Sequence, residues 1–284
     1  MSVRRRLLAG TALASVALLA TAAPRVRPSP SLRLGIVPYL SARQIVVAFE
    51  PLRAHLAQAL GLSVTTYTAP SFRAFARALD DGDYDLAFAP PHLSRLAAQD
   101  WGWRPLARTQ VPAQVMLVQR AGDVPPLPAG LRGGRVVVVD SISLAALACA
   151  DWLASSGLRT GSEVALDYLS DAPSLMLALS RPEVTAMALM SGHYADLAPD
   201  ARAWTQPATV IASLPAPGYI GSPQLSPQLR AALAEALLAF APDGSGGSLS
   251  RSRLLATTLA DTAAVERFTQ LARDGLSQRG RRNA

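Results

Sequence analysis

Apolar and polar positions alternate in short blocks along this chain. Leu32, Leu34, Ile36 and Val37 run up to Pro38 and predict a strand over 32–37. Ser41 can cap a helix in which Ile45, Val46, Phe49, Leu52, Leu56 and Leu60 recur at helical spacing before Gly61. Residues 62–68 are β-branched and strand-like. Ser71 opens a second helix through Phe72, Phe75, Ala76 and Leu79, and Gly82 stops it. Residues 84–89 form a third strand ended by Pro90 and Pro91. The first 90 residues therefore read β-α-β-α-β, whose crossovers imply a parallel sheet covered by helices.

The pattern then breaks and resumes. Residues 105–112 read as irregular, 113–120 as a strand, and Pro125, Pro126, Pro128 and Gly130 as a loop. Residues 135–139 are the most strongly apolar β-branched run, leading through Asp140-Ser141-Ile142-Ser143 into an alanine-rich helix ending near Leu153. Further strands lie at 164–169, 185–189 and 210–214, and helical segments at 175–179, 194–197, 226–240 and within 254–276. Residues 244–250 read as a flexible loop. The expected class is α/β.

Composition narrows the chemistry. The 284 residues hold one cysteine, Cys149, so no disulfide forms within the chain. Three scattered histidines and that cysteine give no zinc pattern, and no metal or cofactor is expected. All 27 basic residues are arginine, which excludes a P-loop lysine, a Schiff base and a lysine general base. Arg4, Arg5 and Arg6, an apolar stretch to Leu19 and Ala20-Thr21-Ala22 have the layout of a secretory signal over 1–23; an uncleaved anchor is the alternative. Without those three arginines the net charge falls from +7 to +4, and three more arginines (Arg279, Arg281, Arg282) lie in the tail. The body is close to neutral and shows no basic stripe interleaved with aromatics, so no nucleic-acid partner is expected. Residues 24–31 read as a stiff proline-rich linker.

Leu34-Gly35-Ile36-Val37-Pro38-Tyr39-Leu40-Ser41, then Phe49-Glu50-Pro51-Leu52, resembles the opening of phosphate/phosphite/phosphonate-type periplasmic substrate-binding proteins of ABC transporters (the PhnD-like family). Tyr67-Thr68-Ala69-Pro70-Ser71-Phe72 and residues 82–89 fall at that family's second and third strands, and Asp140-Ser141-Ile142-Ser143 at its anion-binding turn. The resemblance implies a two-lobe, type II periplasmic-binding-protein fold, each lobe a mixed, mostly parallel sheet flanked by helices. The first lobe would combine 32–110 with 206–284, and the second would be 111–205. It also implies a periplasmic monomer that takes a small oxyanion or zwitterion between the lobes, closes, and delivers it to an ABC permease, with no catalytic residue. This chain departs from the family where a Ser-Thr-Ser run becomes Ser141-Ile142-Ser143, and where a histidine loop becomes Leu169-Ser170-Asp171. An acid there would repel a dianionic phosphonate or pair with a ligand amine.

Ligands of open parallel sheets bind beyond the carboxyl ends of strands. That rule selects Tyr39, Ser41, Ser71, His92, Ser141, Ile142, Ser143, Asp171 and His193 as ligand-binding candidates. Ser141 and Ser143 also begin a helix, whose backbone N–H groups and dipole favour an anion; capping is the plainer role for the same residues. His55 reads as a surface residue, Trp101 and Trp103 as packing residues, and Cys149 as buried and inert. Two other functions fit the same chain. Val37-Pro38-Tyr39-Leu40 is also similar to the start of chorismate-dehydratase-like enzymes, for which Asp140, Asp171 and His92 are the available acid–base groups. A sensor that feeds a membrane kinase is the third.

Overall fold

A computed structural model describes residues 31–123, 128–242, 244 and 251–278. The expected signal, most of the linker and the arginine tail lie outside them. The chain opens with β1 (Ser31–Ile36), α1 (Ala42–Leu60), β2 (Ser63–Thr68), α2 (Phe72–Asp80), β3 (Leu86–Ala89), α3 (Pro91–Asp100) and β4 (Arg104–Thr109). It continues with β5 (Ala113–Arg120), β6 (Arg135–Val139), α4 (Leu144–Ser155), β7 (Ala165–Leu169), α5 (Ala172–Leu179), β8 (Ala186–Met190), α6 (Ser191–Ala195), α7 (Pro199–Ala203) and β9 (Thr205–Leu214). It closes with β10 (Gly218–Gly221), α8 (Pro227–Ala239), β11 (Leu254–Ala256) and α9 (Glu266–Gln278).

These strands form two mixed sheets. The first has the order β11-β4-β10-β3-β1-β2, and the second β7-β6-β8-β5-β9. In each, the β-α-β portion is parallel (β2, β1 and β3; β7, β6 and β8), and the added strands are antiparallel. The local signals act as expected. Ser41 caps α1 in a reciprocal pair with Gln44, Gly61 ends that helix at φ 64°, and Ser71, Ser143 and Ser226 cap α2, α4 and α8.

The structure adds one helix to these expectations and changes three of them. Residues 91–100 form α3, because Pro91 stands at the first helical position, where no N–H is needed. Residues 104–109 form a strand despite Pro105, which lies at a register shift against β10. The last strand of the second sheet starts at Thr205, with Pro207 tolerated on an edge, so the chain returns to the first sheet at 215–217 and not at 206. His55 is held between helices, its Nε2 2.8 Å from the Ala236 carbonyl and its ring against Phe240. Trp103 packs as expected, donating to the Leu79 carbonyl at 3.0 Å.

The two halves share side chains. Ile142, from the turn after β6, is buried in the core of the first sheet. On α9, Ala272 faces that core, whereas Phe268 packs with Ala113, Val115 and Leu144 of the second half. Among the described residues no helix is long and apolar enough to cross a membrane.

Candidate functional site

The strand ends of both sheets converge on a cavity of about 380 Å³. Its walls take Tyr39 from the turn after β1, Phe88 and Pro90 from the end of β3, Val139 from β6 and Leu189 from β8. The heads of α4 (Ser143, Leu144, Ala145) and α5 (Ala172, Leu175) complete it, with Met190 and residues 191–193 of α6. The strand ends expose backbone to a shared gap, which is where the topology leaves room for a ligand. The lining is mainly apolar and, among the described residues, contains no charged side chain.

Two rings join the halves there. Tyr39 and His193 stack with centroids 4.6 Å apart and planes 10° apart. Tyr39 is 2% exposed, and its hydroxyl has no hydrogen-bond partner among the described residues. Burial raises the pKa of that phenol, and the Asp196 carboxylate pushes it the same way. Burial lowers the His193 pKa to about 4, so the ring is neutral near pH 7.

Of the nine residues selected from sequence, Tyr39, Ser143 and His193 line the cavity. The other six lie outside its lining. Ser41 and Ser71 cap α1 and α2. Asp171 caps α5, accepting the Ser174 N–H at 2.9 Å and the Ser170 hydroxyl at 3.1 Å, which hold its carboxyl below the usual range. Ser141 is exposed. Ile142 is 1% exposed, and its carbonyl accepts a 2.9 Å hydrogen bond from Nε2 of the fully buried His92. Burial lowers the His92 pKa to about 4, opposed by that bond, and Nδ1 has no partner among the described residues. His92 is therefore a strut between the halves.

Ser143 is itself engaged. Its hydroxyl donates to the Val139 carbonyl and accepts the Ala146 N–H. The N–H groups of Leu144 and Ala145 precede the first intrahelical bond, and both residues border the cavity. Asp140, with φ 43°, places one carboxylate oxygen 3.1 Å from the Phe72 N–H at the head of α2 and the other 3.1 Å from the Ile142 N–H.

Sequence reasoning did not select Gln114, Ser191 or Ser252, three further polar residues of the lining. Ser191 follows a strand and was open to the strand-end rule. Gln114 and Ser252 border the cavity through tertiary placement alone. Among the described residues no group of three or more His, Cys, Asp or Glu side chains could hold a metal ion.

Residues 34–266 match a family described as "ABC transporter, phosphonate, periplasmic substrate-binding protein". No curated protein matches the chain. Among solved structures it is similar to a binding-protein component of an ABC phosphonate transporter from Pseudomonas aeruginosa, at 13% identity, TM-score 0.75, and coverage of 88% of this chain and 90% of that one. It is also similar to PhnD1 from Prochlorococcus marinus in complex with methylphosphonate, at 12% identity, TM-score 0.73, and coverage of 87% and 99%. A third is XAC2383 from Xanthomonas citri bound to ATP, at 16% identity, TM-score 0.66, and coverage of 86% and 98%. These likenesses establish the type II periplasmic-binding fold.

Proposed function

The chain belongs to the family of periplasmic substrate-binding proteins of ABC phosphonate transporters, and we propose that it captures a small oxyanion bearing an apolar substituent and hands it to a permease. The observation that carries this reading is the cavity itself. It combines an apolar wall with two kinds of neutral donor, the head of α4 and the Tyr39 hydroxyl. A helix head accepts an anion without a cation beside it. The methylphosphonate held by PhnD1 has the same two parts, an oxyanion and a methyl group.

In this reading the ligand's oxygens meet Tyr39 and the N–H groups of Leu144 and Ala145, with the substituent against Val139, Leu175 and Leu189. The lobes are 32–110 with 215–284, and 111–214. Ligand binding draws them together, and His193 stacking on Tyr39 closes one wall. The rims of the closed lobes dock the permease. The protein acts as a monomer, exported by residues 1–23. The reading is capture and not catalysis, as in the family to which the chain belongs.

Thermal unfolding with phosphate, phosphite, methylphosphonate, longer alkylphosphonates, alkanesulfonates and apolar carboxylates tests it. A true ligand at 100 times its Kd adds about 2.7 kcal/mol of stability. A panel in which no oxyanion raises the midpoint would reject the reading.

A further inference from the structure

We infer that the site selects oxyanions carrying one negative charge and an apolar substituent, and rejects dianions. The inference rests on the binding-protein reading above and specifies its ligand class. Four helices of two turns or more place a first-turn residue in the cavity wall (Phe72, Pro91, Leu144 and Ala172), and the chain's own carboxylates already occupy two of these heads. Asp140 accepts the Phe72 N–H of α2 at 3.1 Å, and Asp171 accepts the Ser174 N–H of α5 at 2.9 Å. The third, α3, starts at Pro91, which has no N–H to offer. Of the four, α4 alone sets first-turn N–H groups, those of Leu144 and Ala145, against the cavity beside a neutral side-chain cap, Ser143, whereas the Ala172 N–H of α5 stands next to the Asp171 carboxylate.

A helix head presents roughly half a positive charge. One such head, one phenol and a mainly apolar wall can compensate about one ligand charge. A second charge would enter with no cation in the lining, since among the described residues no arginine borders the cavity and the chain has no lysine. Asp140 and Asp171, bound at the heads of α2 and α5 just behind the lining residues Phe72 and Ala172, would add like-charge repulsion. A ligand ammonium gains nothing either, because among the described residues no carboxylate lines the cavity and the carboxylates of Asp140 and Asp171 are hydrogen-bonded to backbone N–H groups. Independently of any helix, the Tyr39 hydroxyl is a buried donor without a partner among the described residues, on a residue that borders the cavity. One ligand oxygen would satisfy it.

Calorimetric titration of the full chain with butanesulfonate and butylphosphonate at about pH 5.5, 7.0 and 8.5 tests the inference. The sulfonate is singly charged throughout, whereas the phosphonate loses its second proton within the range. Burial lowers His193, in the lining, and His92, behind it, to about 4 and raises Tyr39, so none of these three changes charge across the range. The expected result is a constant Kd for butanesulfonate and a Kd for butylphosphonate that weakens about threefold to fivefold by pH 8.5, following the loss of its monoanion. Asp140→Asn and Asp171→Asn, which keep an acceptor oxygen, should narrow that gap. Phosphonate binding that is flat or strengthens with pH would overturn the inference and leave the oxyanion reading standing. No binding of either compound, or of phosphate or methylphosphonate, would overturn both.

Discussion

Tyr39 and His193 come from opposite sheets and stack nearly parallel, 4.6 Å between centroids. The stack exists only with the halves together, and Tyr39 is braced from behind by the edge of Phe49 at 6.4 Å. Its hydroxyl contributes nothing to that packing and lacks a partner among the described residues. Tyr39→Phe keeps both ring contacts and removes a buried unsatisfied group, so the free protein should unfold at the same temperature or higher. Binding should weaken by about tenfold to a hundredfold, the worth of a hydrogen bond to a charged acceptor. Calorimetry and thermal unfolding on one preparation read both. An unchanged Kd would remove Tyr39 from the ligand contacts.

Both histidines at the junction, the buried His92 and the half-buried His193, favour the neutral form. Burial sets the pKa of His92 and of His193 at about 4, against an ordinary value of 6.5. Between those values the unfolded chain binds more protons than the folded one, so stability rises with pH. The contribution is complete above about 6.5 and is lost as pH falls toward 4, by up to about 1.4 kcal/mol per pH unit for each ring. Urea unfolding at half-unit pH steps should show this slope. His92→Gln, which can keep the bond to the Ile142 carbonyl, and His193→Phe, which can keep the stack, should each remove part of it. Slopes identical to wild type in both variants would contradict the assignment.

Much of the fold could be read from the sequence because punctuation and periodicity agree. Pro38, Gly61 and Gly82 bound the first elements, and Ser41, Ser71 and Ser226 cap the helices they precede. The misses share a cause. Pro91 and Pro105 look like breaks unless one knows that a helix starts at the first and a bulge absorbs the second. In β10, Gly218 lies so close to β4 that an added Cβ would be 2.5 Å from the Ala107 carbonyl oxygen, so its glycines mark close packing and not a loop. At the site the obstacle is chemical. Serine and aspartate at a helix head serve equally as cap or ligand contact, and only the structure distinguishes Ser71 and Asp171 from the residues that line the cavity. The stack of Tyr39 on His193, and the entry of Ile142 into the other half's core, are tertiary facts without a local signal.

Cys149 lies on α4 behind the cavity, fully buried, and burial pushes its thiol pKa up to about 12. The thiolate is the reactive form, so the native protein should not react with a thiol reagent at about pH 8. In denaturant the same residue should label stoichiometrically. Labelling kinetics at low denaturant then report the opening of the second half, whose core contains this residue with Leu153 and Val164. Rapid labelling under native conditions would mean that α4 is exposed far more often than its packing allows.

Ile142 stands where the phosphonate-binding pattern has a threonine, and its position explains the change. Its side chain is buried in the core of the first sheet, and the Cα of Gly275 on α9 is close enough that an added Cβ would lie 3.0 Å from the Ile142 Cγ2. The backbone of the same residue receives the His92 bond and donates to Asp140. Ile142 is thus an apolar pin between the halves, and the residue restoring the family pattern should weaken it. Ile142→Thr keeps the β-branch but buries a hydroxyl without a prepared partner, at about 1–3 kcal/mol. Ile142→Ala removes more volume and should cost about 2–5 kcal/mol. Gly275→Ala in the wild type presses on Cγ2 and should lose the gain of up to about 1 kcal/mol that alanine normally brings to a helix interior; in Ile142→Ala the same substitution should recover that gain. A double-mutant cycle by urea unfolding measures the coupling. Additive effects would show that Ile142 and Gly275 do not touch in solution and that the halves are held by the other contacts.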